Sequence, residues 1–97
     1  MAIVFENNSF CITGKFETIN KESEKEYTRT EISLLIEKRN GIIKKSVLKT
    51  LDYLVVGGLG STMYSSGLKG NKIIKAESQE NTRILTEKEL LKALDSI

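Results

Sequence analysis

Asp52-Tyr53-Leu54-Val55-Val56-Gly57-Gly58 is the stretch that decides the fold. Four consecutive apolar residues, two of them β-branched, leave no polar face, and a glycine pair ends the run. An unbroken run of this kind suits a strand covered on both sides, as in a parallel sheet. Working back from it, Val47 and Leu51 are expected core contacts, and Ile42-Ile43-Lys44 reads as a short strand. That strand is entered directly from a helix. Thr28-Arg29-Thr30-Glu31 is a capping box, Ile32, Leu35 and Ile36 share one helical face, and Asn40-Gly41 supplies a left-handed stop. Ser9 to Thr13 reads as the first strand, and Glu17 to Tyr27 as a polar, charged loop or surface extension.

Beyond the deciding run, residues 57–70 hold five glycines and read as an irregular loop. A short helix is expected from Asn71 to Glu77 and a fourth strand at Arg83-Ile84-Leu85. Thr86-Glu87-Lys88-Glu89 is a second capping box, opening a helix whose apolar face is Leu90, Leu91 and Leu94. The order is β-α-β-β-α-β-α, which calls for an α/β fold with a mostly parallel four-stranded sheet flanked by three helices. With 97 residues, the chain is expected to form one domain, residues 1–97, with its core at about 9–94 and a polar insertion at about 17–27.

Composition narrows the chemistry. There is no histidine and one cysteine, Cys11, so neither an internal disulfide nor a histidine–cysteine zinc site is expected. The same absence removes the usual general base and the Ser/His and Cys/His pairs, so no catalytic residue, metal or cofactor is expected. Cys11 alternates with Phe10 and Ile12 and reads as a small buried apolar residue. No apolar stretch reaches the roughly 20 residues of a membrane span, and the first residues lack a signal-peptide pattern. A single cysteine suits a reducing, cytoplasmic setting. The net charge is only +2, yet residues 38–75 carry eight basic side chains against one acid, Asp52. The flanks are acidic, and such asymmetry fits either a polyanion-facing surface or a solvated lysine-rich face.

Two glycine-bearing segments far apart in sequence carry the functional signal. Phe10-Cys11-Ile12-Thr13-Gly14-Lys15 ends an apolar strand in a hydroxyl, a glycine and a lysine. Gly67-Leu68-Lys69-Gly70-Asn71-Lys72 opens a helix with a lysine in its first turn. Free backbone N–H groups, a hydroxyl and a cation at a helix start are the groups that bind a phosphate, provided the fold joins them.

The order and its junction motifs resemble a BRCT domain. The motifs are Phe-x-Ile-Thr-Gly at 10–14, Thr-Arg-x-Glu-Ile at 28–32, Ile-Glu-x-x-Asn-Gly at 36–41, Asp-Tyr-Leu-Val-Val-Gly at 52–57, Gly-x-Lys-x-x-Lys-Ala at 70–76 and Ile-Leu-Thr-Glu-x-Glu-Leu-Leu at 84–91. The likeness is greatest to the subclass in bacterial NAD-dependent DNA ligases, polymerase-associated exonucleases and clamp-loader large subunits. The resemblance implies a non-catalytic DNA replication and repair module, on its own or within a larger enzyme, that binds 5′-phosphorylated ends or nicks. It assigns the phosphate to Thr13, Gly14, Arg29 and Lys72; on the same reading Lys69, Lys75, Lys44 and Lys45 contact the DNA backbone. The alternative is a protein-interaction module, docking replication or repair proteins through a helix face or phosphoserine.

Each residue also has a structural reading. Thr13 and Gly14 could simply form a tight turn, Arg29 could pair with Glu31, and Lys72 and Lys75 could be ordinary surface lysines. Tyr64 is read as packing in preference to base stacking. Three features depart from the family. The Glu17–Tyr27 segment is longer than usual and brings Glu22, Glu24 and Glu26 near the site. Leucines replace the tryptophan many members carry in the last helix. A lone domain also lacks the groove that paired repeats use to read a phosphopeptide.

Overall fold

The computed structural model describes residues 3–58 and 71–95. Its centre is a four-stranded sheet in the order β4-β1-β5-β6 with every pairing parallel. The strands are β1 (Ser9–Thr13), β4 (Ile42–Lys44), β5 (Tyr53–Val56) and β6 (Arg83–Thr86). Phe10 lies opposite Ile43 on one side and Tyr53 on the other, and Val56 lies between Thr13 and Thr86.

Alternation along these strands sends side chains into two separate cores. Phe10, Ile12, Tyr53, Val55 and Leu85 pack with Ile32 and Ile36 of α1 (Arg29–Lys38) and with Leu90 and Leu94 of the C-terminal helix. Cys11, Leu54 and Val56 pack on the opposite face with Val47, Leu51, and with Ile73 and Ala76 of α2 (Asn71–Glu77). The C-terminal helix is α3 (Glu87–Asp95). The central strands are therefore covered on both faces, which is why Tyr53–Val56 needs no polar position. Cys11 is fully buried, as read, and Val47 and Leu51 are core residues.

Both capping boxes form. The Thr28 hydroxyl accepts from Glu31 N–H at 3.1 Å, while the Glu31 carboxylate accepts from Thr28 N–H at 2.9 Å. Thr86 and Glu89 repeat the exchange at 3.3 and 3.2 Å. At the end of α1 the left-handed residue is Asn40, with φ of 68°, and not Gly41. Gly41 is needed for space instead: a Cβ there would stand 2.4 Å from the Ile36 side chain.

The segment expected as a loop contains a small antiparallel hairpin, β2 (Ile19–Asn20) with β3 (Lys25–Glu26). Its turn is stabilised by the Asn20 carbonyl accepting from Glu24 N–H at 2.8 Å, with Glu24 at a φ of 61°. Alternation was absent there because each strand is two residues long and largely exposed.

The two central strands are locked together at their starts. The Asp52 carboxylate accepts from Ser9 N–H at 2.8 Å and from the Ser9 hydroxyl at 3.2 Å, and that hydroxyl accepts from Asp52 N–H at 3.1 Å. Asp52, read as the first residue of the strand, stands just before it and is thus part of the sheet's register control. Phe5 and Tyr53 stack on either side of Phe10, with ring centroids 5.4 and 4.7 Å away.

Candidate functional site

The chain leaves β1 through α1 to reach β4, and leaves β5 through α2 to reach β6, on opposite faces of the sheet. Helices therefore diverge above the carboxyl ends of the strands, where open α/β sheets form their binding crevices. A cleft of about 370 Å³ lies there, lined by Ile12, Arg29, Thr30, Ser33, Leu34, Glu37, Ile43, Lys44, Lys45 and Lys72. Arg29 comes from the first turn of α1, Lys44 from the end of β4 with Lys45 just after it, and Lys72 from the first turn of α2. Four of the sequence-expected cations thus meet in one place, from three elements separated by up to 43 positions.

Thr13 and Gly14 stand to one side of this group. Gly14 lines a neighbouring cleft of about 390 Å³ with Lys15, Phe16, Glu26, Tyr27, Thr28 and Arg29. Arg29 is common to both clefts, so it joins the Thr-Gly turn to the lysine cluster. Thr13, half-buried at the end of β1, lines neither. Lys75 is exposed on the last turn of α2 and lines neither cleft. Lys69 and Tyr64 lie outside the described residues.

The turn that carries Gly14 is built against the turn after β5. Gly14 has a φ of +83°, in the region where a side chain is strained. The Thr13 carbonyl accepts from Gly57 N–H at 2.8 Å, so the two turns touch backbone to backbone. The tight-turn reading of Thr13-Gly14 is therefore correct as far as it goes, and it coexists with an accessible Gly14 in the cleft wall.

The electrostatics favour an anion. Arg29 is the first residue of α1, where the helix dipole opposes a cation and attracts a negative group. Among the described residues, none of Arg29, Lys44, Lys45 and Lys72 forms an ion pair. The pairing of Arg29 with Glu31 does not occur, because Glu31 is committed elsewhere. Its carboxylate accepts from Thr28 N–H and from the Asn20 side-chain amide, and these bonds hold the group below the usual glutamate range. Of the three hairpin glutamates, only Glu26 reaches a cleft wall, and it faces Lys15 at 3.9 Å. Glu37 is the one acid lining the lysine-rich cleft. Burial pushes the Cys11 thiol up, and the charge of Lys72 partly offsets that.

Arg39, counted with the basic segment from sequence, belongs to another part of the fold. Its guanidinium donates to the Leu94 carbonyl and lies 5.6 Å from the centre of the Phe5 ring. A cation near the end of α3 suits the helix dipole, so Arg39 is a packing residue.

The residue that sequence reading missed is Glu87. It is 5% exposed, yet its carboxylate accepts from four donors on two loops. Glu17 N–H donates at 3.0 Å, Thr18 N–H at 2.6 Å and Gly58 N–H at 2.7 Å, and the Thr18 hydroxyl donates as well. Burial raises the carboxyl's pKa, and the hydrogen bonds from Thr18, Glu17 and Gly58 together outweigh it, leaving the group below the ordinary range. A signal was present. Glu87, Leu90 and Leu94 fall at i, i+3 and i+7, so a carboxylate sits on the apolar stripe of α3.

Among the described residues there is no group of three or more His, Cys, Asp or Glu side chains that could hold a metal ion. The chain belongs to the BRCA1 C Terminus (BRCT) domain family, whose profile matches residues 2–94. The BRCT domain is a non-catalytic module. The chain is 36% identical over 78 residues, 79% of its length, to a DNA ligase of Thermoanaerobacter sp. (strain X514). It is 34% identical over 91 residues, 94% of its length, to a DNA ligase of Fusobacterium nucleatum subsp. nucleatum. In each case it spans 11% of the relative's own length. No helix among the described residues is long and apolar enough to cross a membrane.

Proposed function

We propose that this domain binds DNA at 5′-phosphorylated ends or nicks, as the end-binding module of a replication or repair protein. The carrying observation is the convergence of Arg29, Lys44, Lys45 and Lys72 on one cleft without a carboxylate ion-paired to any of them among the described residues. Arg29 and Lys72 would hold the terminal phosphate, with Gly14 N–H closing on it from the adjoining cleft and the Thr13 hydroxyl joining from the end of β1 beside it. Lys44 and Lys45, with Lys69 and Lys75, would follow the backbone without reading sequence. The likeness to two DNA ligases supports DNA as the ligand class.

The test is anisotropy on a duplex with a recessed end, with and without its 5′ phosphate, at two salt concentrations. Lys72→Ala is expected to weaken binding to the phosphorylated end about tenfold, the scale of one charge-assisted hydrogen bond. Binding to the unphosphorylated duplex should change by less than about twofold, as suits one of several backbone contacts. Equal losses on both duplexes would remove Lys72 from the terminal phosphate and leave it a generic backbone contact.

One observation favours a second reading. Leu34 is 60% exposed in the wall of the same cleft, which suits a docking protein. Binding to a replication or repair partner that resists salt, with no DNA binding at either salt, would select that reading.

A further inference from the structure

Glu87 is not among the groups that would touch a phosphate, yet it holds the loop that presents two of them. The connection after β1 runs from Thr13 to Thr18, and the connection after β5 begins at Gly57. These two turns are joined twice. The inner joint is the backbone contact: Gly57 N–H donates to the Thr13 carbonyl at 2.8 Å, and a Cβ on Gly14 would stand 3.1 Å from Gly57 N. The outer joint is the Glu87 carboxylate, which draws Glu17 N–H and Thr18 N–H of the first turn and Gly58 N–H of the second onto one pair of oxygens.

We propose that Glu87 is a positioning residue that pre-shapes the Thr13–Gly14 turn for phosphate binding by pinning the Glu17–Thr18 backbone to Gly58. This rests on the end-binding reading above and deepens it. The chemistry demands a carboxylate. The two loops offer only donors to Glu87, three N–H groups and a hydroxyl, so an acceptor with two charged oxygens satisfies all of them at once. An amide in its place would turn one donor against other donors. Glu87 is also the first residue of α3, where the dipole favours its negative charge, so the pin is anchored to a rigid element. Phe16, 1% exposed between Gly14 and Glu17, closes the short span between the pin and the turn. Loosening Glu17 and Thr18 therefore leaves Gly14 and Lys15 tethered through one buried ring and the Gly57 contact. Preorganisation of this kind lowers the ordering cost that a ligand must meet on binding.

The test compares wild type, Glu87→Gln and Thr18→Val, the last removing only the hydroxyl donor from an exposed position. Amide hydrogen exchange on the free protein is the first readout. Glu87→Gln should speed exchange at Glu17, Thr18 and Gly58, whose amides the carboxylate binds, at least tenfold, with the Tyr53–Val56 amides unchanged; Thr18→Val should do so to a smaller degree. In the same samples the backbone 15N order parameters of Gly14 and Lys15 should fall, and unchanged order parameters there in both variants would overturn the proposal without any DNA experiment.

Affinity for the recessed duplex is the second readout. Glu87→Gln should weaken the phosphorylated end about fivefold to tenfold and leave the unphosphorylated duplex within twofold. Equal weakening of both, or none, would also overturn it. Should Glu87→Gln fail to fold, Thr18→Val decides by the same measurements. A wild-type domain with no preference for the phosphorylated end would sink the end-binding reading, and the binding half of this proposal with it. The exchange rates and order parameters would still show whether Glu87 holds the turn.

Discussion

Gly57 and Gly58 are adjacent, and an added Cβ meets a neighbour at nearly the same distance in each, yet alanine should have very different effects at the two. At Gly57 a Cβ would stand 2.8 Å from the carbonyl carbon of Lys15, 2.9 Å from its oxygen and 3.1 Å from its nitrogen. All three are backbone atoms of a turn held by the Gly57–Thr13 hydrogen bond and the Glu87 carboxylate, so the turn cannot move aside without loosening both. At Gly58 the Cβ would meet Glu17 at 2.7 Å, but the atoms are Cγ and Cδ of an exposed side chain that can rotate away. Gly58 also has no positive φ, and its N–H, which Glu87 uses, survives in alanine.

Overpacking against unyielding atoms costs about 1–3 kcal/mol. For a domain of this size, 1 kcal/mol corresponds to roughly 4–8 °C in the unfolding midpoint. Gly57→Ala should therefore lower Tm by about 8–16 °C for a cost near 2 kcal/mol. Gly58→Ala should stay within about 0.5 kcal/mol of wild type, as expected of a substitution that displaces only a mobile side chain. Calorimetry or thermal circular dichroism on both variants at neutral pH makes the comparison. A loss at Gly58 equal to or larger than that at Gly57 would refute the reasoning, since the nature of the atom met, and not the distance, is what separates them.

Thr28→Ala should cost about 1 kcal/mol in a urea unfolding series, because it removes the hydroxyl that accepts from Glu31 N–H; Thr28→Ser should restore most of it. The carboxyls of Glu87 and Glu31 both lie below their ordinary range in the folded protein. Their contribution is therefore complete above the unfolded value of about 4.3 and is lost as pH falls through their lower folded values. Urea midpoints measured from pH 7 to pH 3 should fall below about pH 4.3 in wild type and fall less steeply in Glu87→Gln. A Glu87→Gln curve parallel to wild type would place the acid sensitivity elsewhere.

Much of the fold was legible from local chemistry. A capping box is written in four neighbouring residues, and Thr28–Glu31 and Thr86–Glu89 formed as read because both partners lie within one helical turn. The Tyr53–Val56 run suited a strand covered on both faces, and the two cores bear that out. Where the reading stopped short, the deciding contact came from afar. Asn40 takes the left-handed conformation, and Gly41 is required instead because the Ile36 side chain leaves no room for a Cβ there. The hairpin at Ile19–Glu26 has too few residues per strand for periodicity to register. Arg39 looked like its basic neighbours until the fold set it against Phe5 and the Leu94 carbonyl.

The sequence by itself determined the order of elements, the helix boundaries, the buried character of the central strands and the kind of groups available to meet an anion. These follow from propensity, capping and hydrophobic period, all of which act over a few residues. Only the tertiary structure decided which of those groups meet. Parallel pairing of β1 with β4 and β5 brings Arg29, Lys44, Lys45 and Lys72 to one cleft while leaving Gly14 in the wall of the next and Thr13 in neither. It also turned Glu87 from one acid among several at a helix start into the acceptor that ties two loops together. The partners lie 29 and about 70 positions away from Glu87, and no local pattern encodes a contact at that separation.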